Sequence, residues 1–195
     1  MKERPIIFSG PMVRAILEGR KTMTRRVVKP QPVFLKDASP PRWGWSYKSG
    51  HISWVDRFFP VGMNEHSPYG IHGDRLWVRE TFTYTHAGLG VLYRADCVGT
   101  AADALKRLGT TWTPSIHMPR AVSRITLEIS GIRVERLGEI PEEDAVAEGV
   151  IYGLGKRRHT ARSAFMDLWD SINGKHPGCA WDDNPWVWVV EFQRV

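Results

Sequence analysis

Pro11-Met12-Val13-Arg14-Ala15-Ile16-Leu17-Glu18-Gly19-Arg20-Lys21-Thr22-Met23-Thr24-Arg25-Arg26-Val27-Val28 reads as a helix, a stop and a strand in immediate succession. Pro11 suits the first helical turn, where its missing N–H would be unbonded in any case, and Ser9 or Gly10 stands where a cap belongs. Met12, Val13, Ile16 and Leu17 recur at helical spacing and form an apolar face, with Arg14 and Glu18 facing out. Gly19 then supplies the stop. Met23 to Val28 ends β-branched before Pro30 and Pro32 break it. On such a strand Thr24 and Arg26 point to one side and Arg25 to the other. Lys21, in the intervening turn, is free to converge with them.

Working outward, the residues from about 31 to 68 are rich in Pro, Gly and aromatics. Trp43, Trp45, Tyr47, His51 and Trp54 flank Ser49-Gly50, which predicts a β-hairpin insertion. Gly73-Asp74 opens the next strand, in which Leu76, Val78, Glu80 and Phe82 share a face. A carboxylate on an apolar face needs a partner, so Glu80 is expected to form an ion pair, for example with an arginine. Val91 to Ala95 reads as a strand, Ala101 to Leu108 as a short helical piece, and Thr110 to Pro119 as a loop carrying Trp112 and His117. Ile125–Ile129 and Ile132–Glu135 alternate, with Ser130-Gly131 marking a bend or bulge. A second helix starts at Pro141 with Glu142 and Glu143 in its first turn and stops at Gly149. A third spans about 160–173, where Phe165, Leu168, Trp169 and Ile172 form a stripe read as core. Trp186 to Arg194 closes the chain as a strand with Trp188, Val190 and Phe192 on one side.

The expectation is a single α+β domain over 1–195: a small mixed β-barrel of about six strands covered by about three peripheral helices, with an insertion at about 31–68. No strand–helix alternation of a parallel sheet is present, and closure leaves few open edges. At 195 residues, 42% hydrophobic and 25% charged, the chain has the profile of an ordinary globular protein. Its net charge of +6 favours a polyanionic partner. Two cysteines, Cys97 and Cys179, allow at most one bridge and suit a reducing compartment. The opening residues lack a signal-peptide core and no apolar run reaches the roughly 20 residues that cross a bilayer, so a cytoplasmic protein of a cell or phage host, with no membrane partner, is expected. The seven histidines are scattered. His176-Pro177-Gly178-Cys179 is a half-site without a second pair, and no phosphate-binding glycine loop occurs, so no metal or cofactor is expected.

Gly19-Arg20-Lys21-Thr22-Met23-Thr24-Arg25-Arg26 resembles the signature of ASCH domains, members of the PUA-like superfamily. Three further pieces agree in order: Gly73-Asp74 before Trp77-Val78-Arg79-Glu80, Ala145-Val146-Ala147-Glu148-Gly149 at a helix end, and a last strand carrying Val190-Glu191-Phe192. The resemblance covers most of the chain outside about 31–68 and 97–116, and is strongest to the longer ASCH proteins of phages and prophages. It implies a PUA-like barrel with an RNA- or nucleoside-binding pocket beside the first helix. Some small bacterial members hydrolyse the amide of N4-acetylcytidine with a Lys, Thr and Glu that correspond to Lys21, Thr24 and Glu148. Others are linked to RNA cleavage, and the wider superfamily contains pure binders. This chain is about twice the usual length of the small enzymes and adds the aromatic insertion.

The chemistry fits those residue types. Amide hydrolysis needs a nucleophile, a proton carrier and a donor to the oxyanion. Thr24 supplies a hydroxyl or positions a water. Lys21 acts as a base only if its pKa falls by about three from its reference near 10.4, and neighbouring Arg20, Arg25 and Arg26 push in that direction. Arg26 or Arg79 is placed to clamp a phosphate or pair with Glu80, while Trp43, Trp45, Tyr69 and Trp77 offer faces on which a base can stack. The expected function is therefore recognition of RNA or a modified nucleoside, with hydrolysis of an N4-acylated cytidine or related base. The alternatives are a non-catalytic module for RNA or DNA and a metal-independent ribonuclease.

Overall fold

The computed structural model describes residues 1–37, 42–46, 52–54, 66–85, 90–97, 111–153 and 160–195. β1 (Glu3–Ile7) leads through Ser9 into helix α1 (Gly10–Leu17), with Pro11 in its first turn. Val13, Ala15 and Ile16 are its buried residues. Gly19, at φ +74°, ends it, and β2 (Met23–Val27) follows directly.

The main sheet has the order β1-β6-β9-β10-β2, where β6 is Arg75–Arg79, β9 is Thr126–Arg136 and β10 is Trp186–Arg194. β1 pairs with β6 in parallel, and the other neighbours are antiparallel. The chain is thus a mixed α+β fold. Among the described residues the hydrogen-bonded order is open, with β1 and β2 as its ends. Those ends nevertheless approach each other, because Arg26 on β2 donates to Ile7 O at the end of β1 (2.7 Å). α1 is the connection that joins them in sequence. Helix α2 (Glu142–Ala147) and helix α3 (Ala161–Asn173) pack together on the other side of the sheet.

Alternation on β10 explains how one sheet holds two cores. Trp188, Val190 and Phe192 face Ile6, Phe8, Val13 and Leu76, whereas Val187 and Val189 face Leu137, Phe165 and Trp169. A strand buried on both sides reads as a near-continuous apolar run, as Trp186 to Val190 does. The expected bulge is present: Gly131 pairs with Glu191 but Phe192 pairs with Ile129, leaving Ser130 as the extra residue.

Several expectations are corrected. The strand expected to run on to Phe82 ends at Arg79, and Phe82 begins a separate two-stranded sheet of β7 (Phe82–Tyr84) and β8 (Val91–Tyr93). The insertion is a three-stranded sheet rather than a hairpin: β3 (Pro32–Leu35), β4 (Arg42–Ser46) and β5 (Ile52–Trp54). Ser46 pairs with Ile52, while the expected Ser49-Gly50 turn lies outside the described residues, as does the helical piece at 101–108. Ten strands are described where about six were expected. On α3 the apolar stripe leaves the core at its C-terminal end, where Ile172 is 48% exposed. No described helix is long and apolar enough to cross a membrane, and both cysteines are free thiols.

Candidate functional site

The turn after α1 places the first functional side chain. Arg20 and Lys21 both donate their backbone N–H to Ala15 O, wrapping the chain around the helix end. Lys21 then makes an isolated antiparallel bridge with Glu148, the residue that ends α2. Thr22 N–H donates to Ala147 O, and Phe192 N–H donates to Thr22 O. The segment is therefore clamped between the end of α2 and the last strand. Residues 127 positions apart are brought together by backbone before any side chain contributes.

The Lys21 ammonium donates to Glu148 Oε2 at 2.7 Å and to Glu148 O at 2.9 Å. Lys21 and Glu148 retain only 2% and 4% of their exposure. Burial pushes the Lys21 pKa below its usual value, the attraction of Glu148 opposes that shift, and nearby Arg26 and Arg25 add to it. Glu148 Oε1 accepts no hydrogen bond, although the Arg25 guanidinium lies 3.5 Å away. Buried carboxylate oxygens without a donor are uncommon and call for a reason.

Thr24 and Arg26 lie on one face of β2, paired with Val190 and Trp188, and Arg25 lies on the other, paired with Val189. All three, with Glu148, line a hollow of about 260 Å³. Its walls are Met12 from α1, Tyr69, and Phe165, Leu168, Trp169 and Ile172 from α3. Thr24 is buried to 3% and shares the hollow with the Glu148 carboxylate. Lys21 is not among the lining residues and stands behind Glu148. The three sequence candidates thus meet as two groups at the wall and one in support.

The arginines divide by partner. Arg25 has a fully buried side chain and pairs with Glu135 and Asp144, both at 2.6 Å. Arg20 pairs with Glu18 and donates to Gly149 O. Arg26 lies over the Phe8 ring, its guanidinium carbon 5.3 Å from the centroid, and makes no ion pair with a described carboxylate. Its Nε is buried without an acceptor. Tyr69 is half-buried, and burial raises its phenol pKa against the opposing effect of Arg26, so it remains a protonated donor.

Four of the remaining candidates stand elsewhere. Glu80 is buried and paired bidentately with Arg124, at 2.8 and 3.0 Å, which is the arginine partner its sequence context demanded. Arg79 donates to Ile116 O and stacks near Trp77, on the sheet face opposite Leu76 and Val78. Trp43 packs edge-on against Trp186 at 5.5 Å. The side chain of Trp45 lies outside the described residues. None of the other four lines the hollow. No family model matches the chain, and no curated protein or solved structure is similar to it.

What sequence reading missed is the α3 wall. Leu168 and Ile172 were read as core because they continue the stripe of Phe165 and Trp169. The available signal was position: that stripe outlasts the core by one helical turn. Among the described residues no three His, Cys, Asp or Glu side chains cluster as metal ligands.

Proposed function

We propose that this chain recognises a modified pyrimidine nucleoside in the hollow between β2, α2 and α3 and hydrolyses the amide of an N4-acylated cytidine or a related base. The observation that carries the reading is that Glu148, whose carboxylate accepts from the buried Lys21 ammonium, lines the same hollow as Thr24. A hollow of about 260 Å³ lies at the small end of ligand pockets, a size suited to one base with its sugar. In this reading the sheet, whose ends are drawn together by Arg26, corresponds to a PUA-like barrel, and the ASCH resemblance of Gly19 to Arg26 belongs to the same site.

In the proposed reaction Thr24 orients a water and Glu148 takes its proton as the water oxygen attacks the acyl carbon. The oxyanion forms near Arg26, which lines the hollow and makes no ion pair with a described carboxylate. Collapse breaks the C–N bond, and Glu148 returns the proton to the departing nitrogen. The products are the free amine and a carboxylic acid. Lys21 keeps its proton throughout and acts as a positioning residue for Glu148.

Chromatographic assay of N4-acetylcytidine turnover tests this. Glu148→Gln should lower kcat by at least about 100-fold, the lower range of general acid–base contributions. Because the lysine pKa is depressed, the ammonium is lost, and activity should fall, at a pH below the ordinary lysine value of 10.5. Absence of turnover by the wild-type protein, or full activity of Glu148→Gln, would remove the hydrolase reading.

A non-catalytic polyanion-binding module is the second reading, resting on the +6 charge. The pairing of Arg4, Arg20, Arg25, Arg120, Arg124 and Arg133 with carboxylates weakens it, since charge neutralised within the protein releases few counterions from nucleic acid.

A further inference from the structure

The hollow takes much of its lining from one strand. It is lined by the consecutive residues Thr24, Arg25, Arg26 and Val27 and then by Lys29, so it follows β2 along its length. Five residues of extended chain cover roughly 16 Å. Thr24 and Lys29 bound that stretch of chain, and Glu148 and Asn173 also line the hollow. A base alone does not span that distance.

The two ends differ in charge. Near Thr24 the cations are matched by acids: Lys21 by Glu148, and Arg25 by Glu135 and Asp144. Beyond it, Arg26 and Lys29 both line the hollow, and neither is paired with a described carboxylate. The C-terminal end of α3 also lines the hollow, with Ile172 and Asn173 in the wall. A helix end carries about half a negative charge, so two full positive charges prevail.

We infer that the ligand of this hollow is a nucleotide rather than a neutral nucleoside, its base beside Thr24 and Glu148 and a phosphate on Lys29 with Arg26 between them. The inference rests on the proposed nucleoside site and adds the phosphate to it. That phosphate belongs either to a free mononucleotide or to a nucleotide within a strand. Lysine recognises it as a point charge on a flexible stem.

Equilibrium binding is the test, because it does not depend on turnover. Cytidine, cytidine 5′-monophosphate, cytidine 3′-monophosphate and a five-residue oligocytidine are titrated against the full chain, with intrinsic tryptophan fluorescence or heat as the readout. At least one monophosphate should bind about tenfold or more tightly than cytidine. Lys29→Gln should erase that preference while leaving cytidine affinity unchanged, and Lys2→Gln, the same charge change outside the hollow, should not. A monophosphate binding as well as the oligonucleotide identifies a free nucleotide, and a further gain with the oligonucleotide identifies a strand. Equal binding of cytidine and both monophosphates, equal losses for every ligand in Lys29→Gln, or no binding at all would overturn the inference. Phosphate preference without hydrolysis of N4-acetylcytidine would uphold it and remove the hydrolase instead.

Discussion

Lys21 and Glu148 are tightly constrained, since each lies buried with the other as its closest opposite charge. Removing one partner of such a pair leaves a charge without compensation, at a cost of about 3–5 kcal/mol. Lys21→Met should therefore destabilise the fold strongly in urea denaturation, and the double variant Lys21→Met/Glu148→Gln should lose markedly less than the sum of the two single variants. Additive losses would mean that the two groups do not depend on each other. Gly149 offers a second test at this scale. Its φ of +79° puts a substituted Cβ 2.8 Å from Lys21 Cβ and 2.9 Å from Ala15 Cβ. Gly19 has a similar φ of +74° but open space around it. Alanine at Gly19 should cost about 1–2 kcal/mol, the left-handed backbone penalty. Alanine at Gly149 should cost more and should also impair the site, because it displaces Lys21.

The secondary-structure elements are held in place by contacts that differ in their response to pH. β1 enters the sheet tied to the turn before β6, where the Asp74 carboxylate accepts from Lys2 N–H at 2.7 Å and from Arg4 at 3.0 Å. The Lys2 N–H is the largest of the influences that hold the Asp74 pKa below its ordinary value of 3.8. A carboxyl with a lowered folded pKa binds its proton later than in the unfolded chain. Its stabilisation is thus complete above pH 3.8 and is lost as pH falls through the folded value. Wild type should exceed Asp74→Asn in stability by a constant margin near neutrality, and the margin should close below pH 3.8. A margin unchanged down to pH 2 would show that this tie is not ionic. Elements were legible in the sequence wherever a local signal marked both ends. Pro11 and Gly19 bracket α1, Pro141 and Gly149 bracket α2, and Thr160 caps α3 by accepting from Ser163 N–H. The break after Arg79 was not legible. Alternation continues unbroken from Leu76 to Phe82, and only the change of partner, from β1 and β9 beside β6 to β8 beside β7, ends the strand.

Over the whole molecule, β2 and β10 bring together what the sequence separates. Thr24, Arg25 and Arg26 were assignable to opposite faces by alternation alone, and their partners on β10 bear this out. The convergence of Lys21 and Glu148 was expected only through the ASCH resemblance, because a contact 127 residues apart leaves no periodic trace. The ion-pair network that makes Arg25 internal was likewise invisible, since Glu135 and Asp144 read locally as an ordinary strand and helix surface. On α3 the stripe is core at Phe165 and Trp169, as its spacing predicts, but the departure of Leu168 and Ile172 was not legible, because a helical stripe looks the same whether it faces a core or a cavity.

In the proposed reaction the Thr24 hydroxyl and the Glu148 carboxylate act together on an amide in one hollow. Thr24→Val keeps the shape and removes only the hydroxyl, so hydrolysis of N4-acetylcytidine by this variant, beside a melting curve, is the most direct measurement. The account predicts that kcat falls by at least about 100-fold while the fold is retained and Thr24→Ser stays active. Hydrolysis by Thr24→Val at the wild-type rate would contradict it.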